Sequence, residues 1–528
     1  MKEKNNEIYE NFETDDNQEK DKDKKKKSEL KLAKPLIIFL VLLLIFVGFI
    51  CYKYFHRSSN SLNRALLEKY NELGKKDENL QLFFLTEHFL VRRKSKYLNM
   101  RVTFHFNKGD IDKDRLLRTI KTVVENIGVF QSIFFYKDGQ LHIKFDKNIY
   151  PEIIQKTLNE SDYQKYIEEV EQAIDFPLNN LMYKFYIIET EKSLYFTLFS
   201  HHSITDKLSA DALLDTLNRA YMNDNATPFK CEDFFYASLY EYNLKIRNDR
   251  KFINYVKNYF LNNYDLGRTF KGYREDKDIQ KPVKNTMTFY IEKSPKELRD
   301  KIVSIYNGKF SRISMFNLMC QLYTLYLYNN MEDHIPEVTY VRHGRNLKFY
   351  KYSMGSFIEN AFINYDFSKY TIKKDGKNYI NVQEFYDNVK KQFDEQKFLD
   401  KYIKTFGYFD SNNLDNIVTS QSYQIDEIDP KTMHANLLPK YLFGKKLQEN
   451  TKNKVIAVLK SNENPFAKFF FHNIYTPFGI INQIQGQGEN YKVETFKKIC
   501  GLFFKVAEIL SDGILSDDKL VEIKMLDY

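Results

Sequence analysis

The chain of 528 residues contains no tryptophan, and its four cysteines, Cys51, Cys231, Cys320 and Cys500, are scattered along it. No CxxC spacing occurs, so no zinc site is indicated, and a disulfide scaffold is excluded by so thin a supply of sulfur. The four read as core residues, and spacing alone does not say whether one pair bridges. Nucleic-acid binding is not indicated either. The net charge is +9, but much of the excess sits in the block "KDKDKKKKSELKLAK" (20–34), and a run of this kind reads as a solvated tail. Apolar residues are plentiful instead, at 43% hydrophobic and 16% aromatic. That is enough for one large core or two lobes, and the aromatics read first as core.

One long run is free of charge: "PLIIFLVLLLIFVGFICY", residues 35–52. At about 1.5 Å per residue it spans the hydrocarbon core of a bilayer as a single helix. It is long for a signal peptide, and no small-x-small cleavage site follows it. The reading is an uncleaved, single-pass anchor. Lys22, Lys24, Lys25, Lys26, Lys27, Lys31 and Lys34 crowd its N-terminal flank, which keeps the N-terminus cytoplasmic and puts the remainder on the far side. The triplets at Asn159 and Asn225 would suit a lumenal domain. Residues 1–34 read as disordered, and residues 53–78 as a helical stalk.

Regular alternation begins beyond the stalk. "LNMRVTFHF" (98–106) has the period of a half-buried strand. "DIDKDRLLRTIKTVVENIG" (110–128) has helical spacing at Leu116, Leu117, Ile120, Val123 and Val124. "QSIFFYKDGQLHIKF" (131–145) is a hairpin turned at Asp138-Gly139. A strand ends "LMYKFYIIET", another is "SLYFTLFSHH", and "LSADALLDTLNRAY" is a helix. The charged stretch 272–285 marks a boundary. A second series then starts with the strand "TMTFYIEK", a helix with a capping box at Ser294-Pro295-Lys296-Glu297, the apolar helix "ISMFNLMCQLYTLYLY" and the strand "PEVTYVRH". Strand and helix order in the second half echoes the first without a sequence repeat. The fold class is α/β (α+β) in two similar lobes, over residues 79–271 and 286–528.

Chemistry concentrates at "SHHSITDK" (200–207). Adjacent histidines end an apolar strand, and an aspartate follows across a turn, where reactive groups reach a cleft. A histidine near neutral pKa takes a proton from an amine or hydroxyl attacking a carbonyl. His202 fits that base, with His201 packed behind it and Asp206 holding the turn through an arginine. The bland alternative is a pair of satisfied core or surface histidines. Neighbouring strand residues point to opposite faces, so joint metal ligation is awkward.

The stretch from "DFPLNNLMYKFYIIE" through "SLYFTLFSHHSITDKLSADALLDTLNRAY" resembles the condensation domains of nonribosomal peptide synthetases. These sit within the CoA-dependent acyltransferases, alongside chloramphenicol and alcohol acetyltransferases, and share an HHxxxDG signature. Weaker similarities follow in order: "CEDFFYASLYEY" (231–242), "VRHGRN" (341–346), "MGSFIENAFINYDF" (354–367) and "NENPFAKFFFHN" (462–473). The resemblance covers roughly residues 80–510. It implies two chloramphenicol-acetyltransferase-like lobes forming a pseudo-dimer with a tunnel between them. It implies His202 as base, His201 as structural, and Asp206 as salt-bridged support. Arg345 is the expected partner and Arg342 the substitute, with Gly355 and Asn360 supplying motif positions nearby.

The donor implied is an acyl-CoA or a phosphopantetheinyl carrier-protein thioester, acting as co-substrate and supplied in trans. No bound cofactor is expected. The acceptor is an amine or alcohol. Two departures stand out. Lys207 occupies the glycine of the signature, where a tight turn or a left-handed backbone would disfavour it. "ENIGVFQSIFF" (125–135) lacks the arginines that synthetase domains carry. The expected activity is therefore that of a membrane-anchored acyltransferase. Its rivals are a lapsed domain kept as a binding or scaffold module and, less favoured, an epimerase-like use of the motif.

Overall fold

The computed structural model describes residues 63–94, 98–222, 233–263, 287–329, 334–342, 344–345, 353–397, 399, 418–424, 455–457, 469–487 and 491–524. The expected membrane segment 35–52, the basic tail, the start of the stalk, the boundary at 272–285, Cys51, Cys231 and Asn225 lie outside these residues. Among the described residues no helix is long and apolar enough to cross a membrane. The chain divides into residues 1–68 and residues 69–528. In the first unit residues 63–68 are helical. Everything below concerns the second.

It begins with helix α1 (69–76), α2 (Phe84–Val91), strand β1 (Asn99–Asn107) and α3 (Lys113–Glu125). The hairpin β2 (Ser132–Lys137) and β3 (Gln140–Phe145) follows, then β4 (Ile153–Thr157), α4 (Tyr163–Ala173), β5 (Tyr183–Glu189) and β6 (Ser193–His201). Next come α5 (Lys207–Met222), α6 (Phe235–Asn248) and α7 (Arg250–Asn263). The second series holds β7 (Met287–Lys293), α8 (Lys296–Ile305), α9 (Phe310–Asn329), β8 (Glu337–Arg342) and β9 (Glu359–Asn364). It continues with α10 (Phe367–Tyr370), β10 (Ile372–Lys374), β11 (Lys377–Asn381), α11 (Val382–Glu395) and β12 (Val418–Gln424). The last elements are β13 (Val455–Ala457), β14 (Phe469–Thr476), β15 (Gly479–Gln487), α12 (Val493–Leu515) and β16 (Leu520–Glu522).

Two mixed sheets carry the fold. One runs β13-β1-β6-β5-β4 and the other β7-β15-β14-β12-β8-β9. The late strand β13 pairs antiparallel with β1, at Val102 opposite Ala457. Strand β1 differs from its expected half-burial. Its second face is also covered, because Arg101 reaches Glu171 of α4 at 2.7 Å and Thr103 meets Thr197 at 2.9 Å. Helix α3 starts where Asp112 Oδ1 accepts the Arg115 N–H at 2.9 Å, an N-cap bond. It buries Leu116, Thr119, Ile120, Val123 and Val124. The hairpin turns on Asp138 (φ 51°) and Gly139 (φ 76°), the left-handed pair that suits strand twist.

Helix α9 is apolar all round because it is buried from Ile313 to Leu325, against α11, α12, β8 and β12. Its polar residues find partners: Tyr475 OH donates to Asn317 Oδ1 at 2.9 Å, and Gln321 Nε2 donates to Asn473 Oδ1 at 2.6 Å. The expected capping box of α8 does not form. Ser294 Oγ instead accepts the Ile480 N–H at 2.9 Å, so the hydroxyl ties β15 to the start of the helix and Pro295 is left as an uncapped N-terminus. Strand β9 ends its sheet, and α11 closes that edge. Gln396 exchanges bonds with both backbone groups of Phe362, at 2.8 and 2.6 Å. Gln392 does the same with Asn364, at 3.1 and 2.8 Å. Two amides one helical turn apart thus pair with alternate strand residues, which satisfies an edge that would otherwise recruit another chain.

Candidate active site

Strand β6 is buried along its whole length, and its end carries the histidines. The His201 N–H donates to Met182 O at 2.8 Å and the His202 N–H to Leu98 O at 2.7 Å. A tight turn follows, closed by the Ile204 N–H on His201 O at 3.1 Å and pinned by Ser200 Oγ against Thr205 Oγ1 at 2.7 Å. The two rings have different surroundings. His201 is fully buried, whereas His202 keeps partial exposure.

His201 Nδ1 accepts the Ser203 N–H at 3.2 Å and meets Ser203 Oγ at 2.8 Å. An accepting Nδ1 places the ring hydrogen on Nε2, which is buried without a hydrogen-bond partner. Burial, with help from His202 and Arg93, pushes the His201 pKa from 6.5 down to about 3. The ring is neutral. His202 is also pushed below the ordinary value, chiefly by burial, while the backbone at residues 202 and 205 and the Asp206 charge oppose the shift. Its Nδ1 is buried, and its ring lies 4.8 Å, centroid to centroid, from that of Phe89.

Asp206 is buried and caps α5: Ser209, three residues on, donates its N–H to Asp206 Oδ1 at 2.7 Å. Arg345 Nη2 reaches the same oxygen at 3.0 Å, and the Phe357 N–H donates to Oδ2 at 3.0 Å. Arg345 also donates to Ser353 O at 2.5 Å and Ser209 Oγ at 2.7 Å. Its guanidinium lies 4.4 Å from the Phe357 ring centre. Ser209 Oγ in turn donates to Gly355 O at 2.5 Å. A buried knot thus joins the histidine turn to Arg345 and residues 353–357.

The glycines of that segment are required. Gly355 has φ 139°, and a Cβ there would lie 2.4 Å from the Phe235 ring. At Gly344 (φ 55°) a Cβ would meet Phe357 O at 1.9 Å. Arg342 goes elsewhere: it donates to Phe393 O and Gln396 O at the end of α11, at 3.1 and 2.6 Å, and lies 3.7 Å from Glu359. Asn360 is buried in β9 opposite Val341. Lys207 begins α5 with a helical backbone and is absent from the positive-φ residues. Its substitution for glycine therefore carries no backbone strain, which corrects the sequence-based expectation. Its side chain lies outside the described structure.

Sequence reasoning overlooked Ser209, Ser353, Phe357 and Phe89. Ser209 was reachable, since it stands three residues after a helix-capping aspartate. The others had no local signal. Among the described residues no cluster of His, Cys, Asp or Glu could hold a metal.

The family model described as the condensation domain matches residues 81–371. The X-domain from teicoplanin biosynthesis superposes with a TM-score of 0.62 at 12% identity, over 86% of this chain and 98% of that one. The condensation domain from Monacolin K polyketide synthase MokA gives 0.60 at 10% identity, over 84% and 98%. The starter condensation domain of rhizomide synthetase RzmA, solved as a mutant with C8-CoA, gives 0.59 at 10% identity, over 85% and 97%. At such identities these structural likenesses concern the fold. No curated protein matches the chain.

The buried neutral His201 has a consequence in acid. An unfolded chain takes up its proton near pH 6.5 while the folded one resists to about pH 3. The stability due to a neutral ring is complete above pH 6.5 and falls by about 1.4 kcal/mol per unit below it. His88, lowered to about 4 by burial and Arg92, adds a second such slope. In urea titrations of the full chain, His201→Gln should lose about 2 kcal/mol less than wild type between pH 7 and pH 5. Equal losses would mean that His201 is protonated or solvated in the folded state.

Proposed function

The chain belongs to the condensation-domain family and has that family's mixed α/β fold, and from this membership we propose that it transfers an acyl group from a thioester to an amine or alcohol. The observation that carries the reading is the asymmetry of the histidine pair. His201 is locked and buried. His202 has a buried Nδ1 and partial exposure, which leaves Nε2 to meet a substrate.

The step balances simply. Nε2 of His202 takes the proton of the acceptor N–H or O–H as that atom attacks the thioester carbonyl. A C–N or C–O bond forms, the C–S bond breaks, and the proton passes to the departing thiolate. Asp206 is unsuited to be the base, because both its oxygens already hold hydrogen bonds from Arg345, Ser209 and Phe357. It serves as support. The donor is an acyl-CoA or a carrier-protein thioester delivered in trans. The RzmA domain solved with C8-CoA supports the first. The two sheets are read as two chloramphenicol-acetyltransferase-like lobes with the substrate tunnel between them. Lys207 no longer argues for a lapsed enzyme on backbone grounds, and a binding or scaffold module becomes an outcome of the test.

The test is acceptor-dependent thiol release from a panel of acyl-CoAs and acyl carrier proteins, offered with amine and alcohol acceptors. Wild type should release thiol, and His202→Ala should lose at least about 100-fold in kcat/KM. Equal rates in the variant would remove His202 as base. Silence with every donor would favour the scaffold reading.

We further propose that residues 35–52 anchor the protein, with the N-terminus in the cytoplasm and the enzyme domain across the membrane. Protease added to sealed vesicles with the cytoplasmic face outward should remove an N-terminal tag and spare the domain. Digestion of the domain would put it on the side where CoA is abundant.

A further inference from the structure

We propose that helix α1 is a positioning element of this site: Asn71 supplies the missing cap of α6, and α6 in turn holds residues 353–357 against the Asp206–Arg345 pair. The inference rests on the reading of that pair as the support of the histidine turn.

Helix α1 (69–76) precedes residue 81, where the condensation-domain match begins. Its sequence reads as the end of a stalk, yet its residues are bonded into the enzyme domain. Helix α6 starts at Phe235, and the side chain before it, Phe234, offers no cap. The first N–H groups of a helix find no partner within it. Here other segments meet them. Asn71 Oδ1 accepts the Ala237 N–H at 3.0 Å, and Asn71 Nδ2 donates to Asp233 O at 2.9 Å. Asp233 Oδ1 takes the Phe235 N–H at 3.4 Å. The Phe234 N–H donates to Ser353 Oγ at 2.8 Å. Ser353 O is also the carbonyl that Arg345 binds. A continuous series of contacts therefore runs from Asn71 through the start of α6 to Ser353, Arg345 and Asp206.

Packing and charge follow the same line. Helix α1 approaches α6 at Gly74, where a Cβ would lie 2.7 Å from Tyr236 O. The rings of Tyr70 and Tyr240 lie 5.4 Å apart. Phe235 meets Phe357 edge-on at 5.9 Å, so the first residue of α6 also packs on the site segment. Asp233 is buried, and its Oδ2 accepts the Gly128 N–H at 2.8 Å. Burial pushes its carboxyl pKa up. Lys75 of α1 opposes that shift, as do the N–H bonds from Gly128 and Phe235 and the charge of Arg345. The carboxylate at the head of α6 thus interacts with a cation of α1 and with the arginine of the site.

Two substitutions test this. Asn71→Ala removes both bonds to α6, and Gly74→Ala forces a Cβ against Tyr236 O. Each raises the intrinsic helix propensity of α1, so a loosened site would not reflect a melted helix. The first readout is independent of catalysis: hydrogen–deuterium exchange by mass spectrometry on the full chain in detergent. In each variant, peptides covering 233–240 and 353–357 should exchange about tenfold faster than in wild type, with α9 unchanged. In thiol-release assays the same variants should lose about tenfold in kcat with KM within about twofold. Faster exchange confined to α1 and α6, with 353–357 at the wild-type rate, would overturn the proposal and leave α1 a docked stalk. Should either variant lose its thermal unfolding transition, the other is read alone by the same criterion. A wild type without activity would count against the acyltransferase reading and leave the exchange comparison decisive for α1.

Discussion

The rest of the site depends on one buried ion pair. Asp206 and Arg345 meet at 3.0 Å with almost no solvent contact. Removing both charges from water is costly, and attraction alone does not offset it. Hydrogen bonds to the remaining polar atoms complete the balance. The carboxylate holds the N–H groups of Ser209 and Phe357, while the guanidinium reaches Ser353 O, Ser209 Oγ and the Phe357 ring. The partners lie 139 residues apart in sequence. The pair therefore fixes the histidine turn relative to a distant segment. Its energetic role is specificity of arrangement, since loss of one partner leaves a buried charge that costs about 3–5 kcal/mol.

That constraint explains the division of labour between the histidines. The strand delivers them to opposite faces. His201 falls into the core, where its neutral ring is stabilised by Ser203. His202 falls at the start of a turn that Asp206 closes by capping α5. A carboxylate committed to a helix cap, an arginine and a backbone amide has no capacity left for proton transfer. The chemistry is left to the imidazole. Gly344 and Gly355 belong to the same constraint, because only a residue without Cβ lets the backbone at these two positions approach Phe357 and Phe235 so closely.

The fold was legible where a local signal was strong. Alternation marked β1, helical spacing marked α3, and Asp138-Gly139 marked the hairpin. The second face of β1 was not legible, because Arg101 and Thr103 read as solvent-facing until α4 covers them. Ser294 spelled a capping box, but a competing backbone donor at Ile480 claimed its hydroxyl. Within the site, the histidines and Asp206 stand in one short motif, and the GR turn offered two arginines. Strand geometry and α11 decide between them, since Arg342 is drawn to carbonyls at that helix's end. Phe89 and Ser353 carry no mark in sequence. They matter only through chain segments brought together by the fold.

The central claim is that Asp206 and Arg345 act as one unit that joins the histidine turn to residues 353–357. A double-mutant cycle in urea, with Asp206→Ala, Arg345→Ala and the double variant in the full chain, tests it most directly. The account predicts a coupling energy of about 2 kcal/mol or more, with the double variant no less stable than the worse single one. Additive losses, with coupling near zero, would contradict it.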